Sequence, residues 1–176
     1  MRRMIYAWAV AIAAAGPGCA TAPTVRPSEG ERMRQDQDLR EVIRGWFAAA
    51  AQGDVSWRDR HVSQQAEIRI IGTDPEEFLT GSVAYEFLAN EAKAAGGKIR
   101  VSVGHVEAYV EGDVGWGVAL PTITLPDGKT ASPRWSAVFH RENGAWKLIQ
   151  LHASIPVTNA AAFGDTFAGA PPGATR

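Results

Sequence analysis

From Asp36 onward, apolar residues fall at Leu39, Val42, Ile43, Trp46, Phe47 and Ala50, the i, i+3, i+4, i+7 rhythm of an amphipathic helix. Arg40, Glu41, Arg44 and Gln52 take the opposite face, and Gly53 supplies a stop. Asp54 predicts a cap for a short second helix through Trp57 to about His61. Residues 66–71 alternate in polarity and are rich in isoleucine, which predicts a strand. Asp74, Pro75 and Glu77 then occupy the N-cap, N1 and N3 positions of a capping box, predicting one helical turn. Glu76 and Glu77 read first as acids favoured at a helix N-terminus; paired catalytic carboxylates are the weaker reading. Ser82 predicts the cap of a third helix over residues 83–95, with Val83, Phe87, Leu88 and Ala92 inward and Gly96-Gly97 as its end.

After residue 98 the period changes to two. Glu111-Gly112-Asp113, Pro126-Asp127-Gly128 and Glu142-Asn143-Gly144 are turn signals that divide the chain into four antiparallel strands near 98–110, 114–125, 130–140 and 145–157. Two of these strands change phase, one at Gly104 and one at Pro121. Such switches predict bulges, and bulges bend sheets. Three N-terminal helices on a curved, mostly antiparallel sheet of four to five strands give an α+β fold, a cone-shaped roll with a cavity at its wide end.

The last hairpin carries the candidate chemistry. A three-residue turn at Glu142-Asn143-Gly144 sets Arg134 opposite His152, Ser136 opposite Gln150 and Val138 opposite Leu148; a two-residue turn would set Trp135 opposite His152. The first register separates an apolar row (Trp135, Ala137, Phe139, Ile149, Leu151, Ala153, Ile155) from a mixed row (Arg134, Ser136, Gln150, His152, Ser154). The apolar row suits helices or a partner subunit, and the mixed row suits the open end of the cavity. An imidazole beside a guanidinium leans neutral and can polarise a carbonyl. The plainer alternative is a cross-strand pair that only ties the sheet together, and it weighs slightly more. Trp46, Trp57 and Trp116 suit either core or pocket wall. His61, His105 and His152 match no metal-ligand spacing, so no metal is expected, and no Gly-rich phosphate loop or nucleophile elbow occurs.

The succession Ile71-Gly-Thr-Asp-Pro-Glu-Glu77 with Gly81, Gly112-Asp-Val-Gly-Trp116, Arg134, Asn143-Gly144-x-Trp146 and His152-x-Ser154 resembles the SnoaL-like branch of the nuclear transport factor 2-like superfamily. The resemblance spans residues 36–163. It implies a pocketed domain akin to polyketide cyclases, ketosteroid isomerases and dehydratases, many relatives having no known catalysis, and commonly a homodimer joined through the outer sheet face. It also implies Asp59 as a position for a catalytic acid or base, with Tyr85 the best-placed phenol, and no cofactor.

Charge and composition narrow the partners. With a net charge of -1 and no basic stripe, nucleic acid is a poor partner. Arg2-Arg3, the apolar run 4–15 and the small residues after it form an export leader over residues 1–19. Its Gly18-Cys19 junction resembles a lipoprotein box, with Gly16 where such boxes carry Leu; the alternative is ordinary cleavage after Ala20 or Ala22, which would leave the protein periplasmic or secreted. Cys19 is the single cysteine, so the chain has no internal disulfide, and membrane attachment would come only through lipid on that residue. Residues 20–35 read as a flexible tether and 164–176 as a Gly/Ala/Pro-rich disordered tail. The expectation is an exported, lipid-anchored pocket domain for a small apolar or polyketide-like molecule. A cyclase, isomerase or dehydratase using His152 and Asp59 is the first alternative, and a dimeric envelope interaction module the second.

Overall fold

Asp36 turns the chain from a short edge strand, β1 (Arg34–Gln35), into helix α1 (Gln37–Gln52). Its carboxylate accepts from the Leu39 backbone N–H at 2.9 Å and from Arg34 Nη1 at 3.1 Å. A buried acid is tolerable because both oxygens are satisfied. The computed structural model describes residues 33–167; the leader, Cys19, the tether up to residue 32 and the tail from residue 168 lie outside the described residues. β1 pairs with the sheet, so two residues assigned to the tether by pattern belong to the domain.

α1 ends at Gly53, whose φ of 74° closes the last turn onto the Ala49 and Ala50 carbonyls. Helix α2 (Ser56–His61) follows, with Asp54 Oδ1 accepting from the Ser56 N–H at 2.8 Å. Strands β2 (Arg69–Ile71) and β3 (Phe78–Thr80) come next, and then helix α3 (Gly81–Ala95).

The predicted helical turn after Pro75 is absent. Half of the capping box forms, the Asp74 N–H donating to Glu77 Oε2 at 3.2 Å, but Asp74 Oδ1 accepts from the Glu76 N–H at 2.9 Å while the Glu77 N–H goes to the Asp74 carbonyl at 3.0 Å. These bonds close a hairpin, however, in which the Gly72 N–H reaches the Glu77 carbonyl at 2.9 Å and β3 pairs with β2. One isolated helical turn fixes several dihedrals for a single bond, whereas three paired residues extend an existing sheet. α3 also differs in detail. Thr80 stands at its N-cap and spends its hydroxyl on the Ala66 and Ile68 carbonyls, leaving Ser82 exposed. Its buried residues are Ala84, Leu88 and Ala89, while Val83 is 63% exposed. Small residues face inward because α3 lies close to α1: a Cβ on Gly96 would stand 2.6 Å from the Gly53 Cα.

The phase changes at Gly104 and Pro121 mark more than bulges. There the chain leaves one sheet for another. β5 (Val106–Glu111), β6 (Val114–Ala119), β9 (Arg134–Glu142) and β10 (Ala145–Ser154) belong to a curved seven-stranded sheet of order β1-β5-β6-β9-β10-β2-β3. β4 (Arg100–Ser102), β7 (Thr122–Thr124) and β8 (Thr130–Ala131) form a separate three-stranded sheet. Among the described residues the expected four to five long strands are therefore ten shorter ones, and the large sheet is mixed because β10 pairs parallel with β2. Gly104 turns the corner with φ 63°, and Pro121, fully buried, needs no donor there.

The large sheet buries one face. Val106, Ala108, Val110, Ala119, Trp135, Ala137, Phe139, Trp146, Leu148 and Leu151 form the core with Leu39, Ile43 and Phe47 of α1. Helix α4 (Asn159–Phe163), started by Thr158 Oγ1 accepting from the Ala161 N–H, and a 3₁₀ turn at Gly164–Phe167 end the described chain. Among the described residues the α-helices thus number four, two of them long, where three were expected.

Candidate functional site: an apolar cavity with two carboxylates

The closing hairpin sets the site, and its register follows neither expected scheme. Asn143 and Gly144 have φ of 51° and 82°, the two-residue turn that matches strand twist, so Ala145 lies opposite Glu142. The ladder continues to Leu148 opposite Phe139. A bulge at Ile149 then shifts it by one, leaving His152 opposite Ser136 and Ser154 opposite Arg134. From Gln150 onward the extra residue restores the face assignment that the three-residue turn would have produced, while Leu148 takes the core position and Ile149, expected in the apolar row, leaves it.

The two faces separate as the polarity pattern requires, and the apolar row packs on the helices as expected, but the cavity lies on that face too. Trp135, Leu151, Ala153 and Ile155 line a cavity of about 340 Å³ between the inner sheet face, α1, α3 and the three-stranded sheet. Arg134, Ser136, His152 and Ser154 border a shallower depression on the other side with Val118 and Leu120, and Gln150 lines a separate groove with Ile149. The mixed row expected in the cavity therefore faces outward. The reason is desolvation: a space roofed by two helices favours apolar walls, and an unpaired polar row there would cost roughly 1–3 kcal/mol per group.

The other candidates scatter. Trp46 lines the cavity. Trp57 stands behind it, its ring edge-on at 5.1 Å and its indole donating to the Val42 carbonyl at 3.2 Å. Trp116 stacks on Tyr109 at 6.2 Å, on the opposite face from the core. Asp59 and Tyr85 do meet, the phenol donating to Asp59 Oδ1 at 3.0 Å, but neither lines the cavity. Arg58 grips the same oxygen through Nε at 3.0 Å and Nη2 at 2.8 Å and covers the Tyr85 ring at 4.2 Å. The Arg58 hydrogen bond, then that of Tyr85, holds the exposed Asp59 carboxyl below its ordinary value. A carboxylate so stabilised is a weak base. Among the described residues no group of three or more His, Cys, Asp or Glu side chains is placed to hold a metal.

The polar groups that do reach the cavity are others. Glu77 and Glu91 both line it, and no Lys, Arg or His does. Glu77 lies along Gly72, where a Cβ would meet its carboxylate and its own Cβ at 2.8 Å, so glycine leaves the acid its place. Glu91 comes from α3 at the rim, in the stripe Leu88, Glu91, Ala95 that faces the cavity. Partial burial, then the charge of Glu77, pushes the Glu91 carboxyl above its ordinary value of 4.5. An acid inside an apolar helical stripe was the legible signal for Glu91.

Glu91 makes the fold pH-sensitive with a definite sign. A carboxyl that binds its proton more tightly when folded supports the fold below its unfolded pKa, and loses that support as pH rises through the folded value. Glu91→Gln should therefore raise the denaturant midpoint at pH 7 and leave it unchanged or lower near pH 4. Parallel curves for both proteins from pH 4 to 8 would refute the assignment.

Among curated proteins no match to the sequence is found. Solved structures share the fold. A nuclear transport factor 2-like superfamily protein from Salmonella enterica superposes with a TM-score of 0.58 and 19% identity, over 73% of this chain and 95% of that one. A candidate dehydratase of the NTF2-like family from Streptomyces avermitilis gives 0.57 and 17%, over 68% and 95%. The association domain of C. elegans CaMKII gives 0.55 and 16%, over 67% and 93%. Residues 39–158 match the SnoaL-like domain model, and the chain belongs to that family.

Proposed function

We propose that this is an exported, lipid-anchored SnoaL-like domain whose cone-shaped interior binds a small apolar molecule. The observation that carries the reading is the cavity of about 340 Å³ walled by Trp46, Phe87, Ile123, Trp135 and Leu151. That volume falls at the small end of the range for ligand sites, roughly 300–1,000 Å³. Binding is favoured over cyclase, isomerase or dehydratase chemistry because His152 and Asp59, the acid–base candidates, stand outside the cavity. An interaction module with a filled interior is disfavoured by the same open volume.

Export and anchoring rest on the order of charged, apolar and small residues before Cys19. Self-association rests on the outer sheet face, where Val114, Val118 and Leu120 are exposed beside Trp116, and on the likeness to an association domain. Native mass spectrometry of protein purified from its source should show a co-purifying small molecule. Ala153→Phe, which fills the cavity from β10, should abolish it. An empty wild-type protein, or equal retention by the variant, would sink the reading. Labelled fatty acid should appear on the wild type and vanish in Cys19→Ala.

A further inference from the structure

The polar row of the closing hairpin lies outside the cavity, on the opposite face of the sheet. Arg134, Ser136, His152 and Ser154 border a depression of about 390 Å³ there, with Val118 and Leu120 as its apolar side. The register fixes its geometry. Ser154 stands opposite Arg134 and His152 opposite Ser136, on neighbouring strands. Cross-strand partners lie about 5 Å apart, and same-face residues along a strand about 6.6 Å. Four polar side chains therefore rise from the corners of one small rectangle, with room for a single carboxylate group between them.

Charge and hydrogen bonding point the same way. No Asp or Glu lines the depression, so the Arg134 guanidinium faces it without a counter-ion. Glu107 shares a row with Ser136 across β6, two strand spacings or about 10 Å away. It is already engaged, by His105 Nε2 at 2.7 Å and by the Tyr109 hydroxyl at 3.4 Å. Among the described residues none of the four polar side chains makes a hydrogen bond or ion pair within the chain. The other histidines differ: His61 meets the Trp146 carbonyl, His105 meets Glu107 and His140 meets Glu142. A structural cross-strand tie would show such a bond, between Arg134 and Ser154 or between His152 and Ser136. Donors gathered in one place and left unspent suit an acceptor that comes from outside.

We infer that this depression is a binding site for a small organic carboxylate. Arg134 offers the two parallel N–H groups that match both carboxylate oxygens. Ser136, Ser154 and one N–H of His152 are further donors. Val118 and Leu120, 40% and 56% exposed, receive the ligand's apolar body. One fixed positive charge matches one negative charge, which favours a carboxylate over the more highly charged phosphates. A second copy seated on the β6 face would use Val118 and Leu120 too, so it competes with the ligand. The site is separate from the cavity, because Leu151 and Ala153 alternate with His152 and Ser154 and line the other face.

The test uses the folded domain at pH 7 and three probes of one shape, cyclohexanecarboxylate, cyclohexylmethanol and cyclohexylmethylamine, with inorganic phosphate beside them. Binding is followed by amide NMR shifts, which also locate each probe. The carboxylate should move the amides of residues 134–136 and 152–154. It should bind at least about tenfold tighter than the alcohol, the worth of one charge-assisted bond, with the amine weakest. Arg134→Gln should remove that preference, and Arg134→Lys, which keeps the charge without the fork, should retain only part of it. Since Arg134 spends no bond on the fold, Arg134→Gln should leave the denaturant midpoint unchanged; a lower midpoint would make the residue a structural tie and overturn the site. Equal binding of carboxylate and alcohol, tighter binding of phosphate, or no binding because a second copy covers the face overturns it as well. Carboxylate binding lost in Ala153→Phe would place the probe inside the cavity and likewise overturn the outer site. A cavity that co-purifies empty would sink the pocket reading and leave this one standing.

Discussion

Gly117→Val should destabilise the domain by about 3 kcal/mol, the upper range for overpacking a filled core. A Cβ at this position would lie 2.3 Å from Ile43 Cδ1 and 2.7 Å from the Glu107 carbonyl oxygen. The crowding has a geometric origin. α1 advances about 6 Å in four residues, and a strand advances about 6.6 Å in two. Leu39, Ile43 and Phe47 can therefore meet successive rows of the sheet. Leu39 sits on the row Val110-Gly115-Phe139, Ile43 on Ala108-Gly117-Ala137, and Phe47 against Trp135, which pairs with Ala119. The middle row carries only small residues, and that lets the helix approach.

The neighbouring glycine makes the prediction sharper. A Cβ on Gly115 would meet only side chains, Leu39 Cδ2 at 2.6 Å, Val110 Cγ1 at 3.2 Å and Trp146 at 3.4 Å. Trimming Leu39 to Val should recover most of the loss in Gly115→Ala. Trimming Ile43 to Val should recover little in Gly117→Ala, because the Glu107 carbonyl is backbone and stays in place. Chemical denaturation of the four single variants and two pairs decides the matter. Full rescue at Gly117, or wild-type stability in Gly117→Val, would refute this account of the helix seat.

Trp135→Ala should cost roughly 3–5 kcal/mol, the usual range for deleting a buried aromatic side chain. Trp135 is where core and cavity meet, packed on Trp46 and Phe47 inside and on the cavity at its edge. Trp135→Phe separates the ring from its N–H. The unpartnered N–H contributes no bond in the empty protein, so its removal should cost far less than the alanine change. Ligand retention should likewise change far less in Trp135→Phe than in the alanine variant, since the buried Nε1 offers the cavity no accessible donor. A phenylalanine variant as unstable as the alanine one would mean the indole N–H has a structural partner.

Much of the fold was legible because it rests on local rules. The α1 stripe from Leu39 to Phe47, its stop at Gly53 and the turn at Asn143-Gly144 each depend on residues within one turn of each other. The phase changes at Gly104 and Pro121 were legible too, as departures from regular strand. Their result was not, because two sheets and one bent sheet have the same alternation. The capping box at Asp74 misled for a related reason: the bond from the Asp74 N–H to the Glu77 carboxylate forms equally well in a hairpin turn and in a first helical turn.

The site was less legible than the fold. His152 and Arg134 attracted attention as polar residues in an apolar strand pair, yet such residues ordinarily face outward. Glu91 is legible only as an acid interrupting the Leu88–Ala95 stripe of α3, and that stripe faces a cavity only once α3 is docked.

By itself the sequence determined that the closing hairpin has two chemically distinct faces, since strand period two places Trp135 and Arg134 on opposite sides whatever the turn. Tertiary structure alone decided which face is the interior. α1 and α3 dock on the Trp135 side, and the Ile149 bulge corrects the register so that Leu151 and Ala153 continue that side. Docking is a long-range choice, set by total apolar area removed from water and by where small residues such as Gly117 permit close approach. No window of neighbouring residues contains that information.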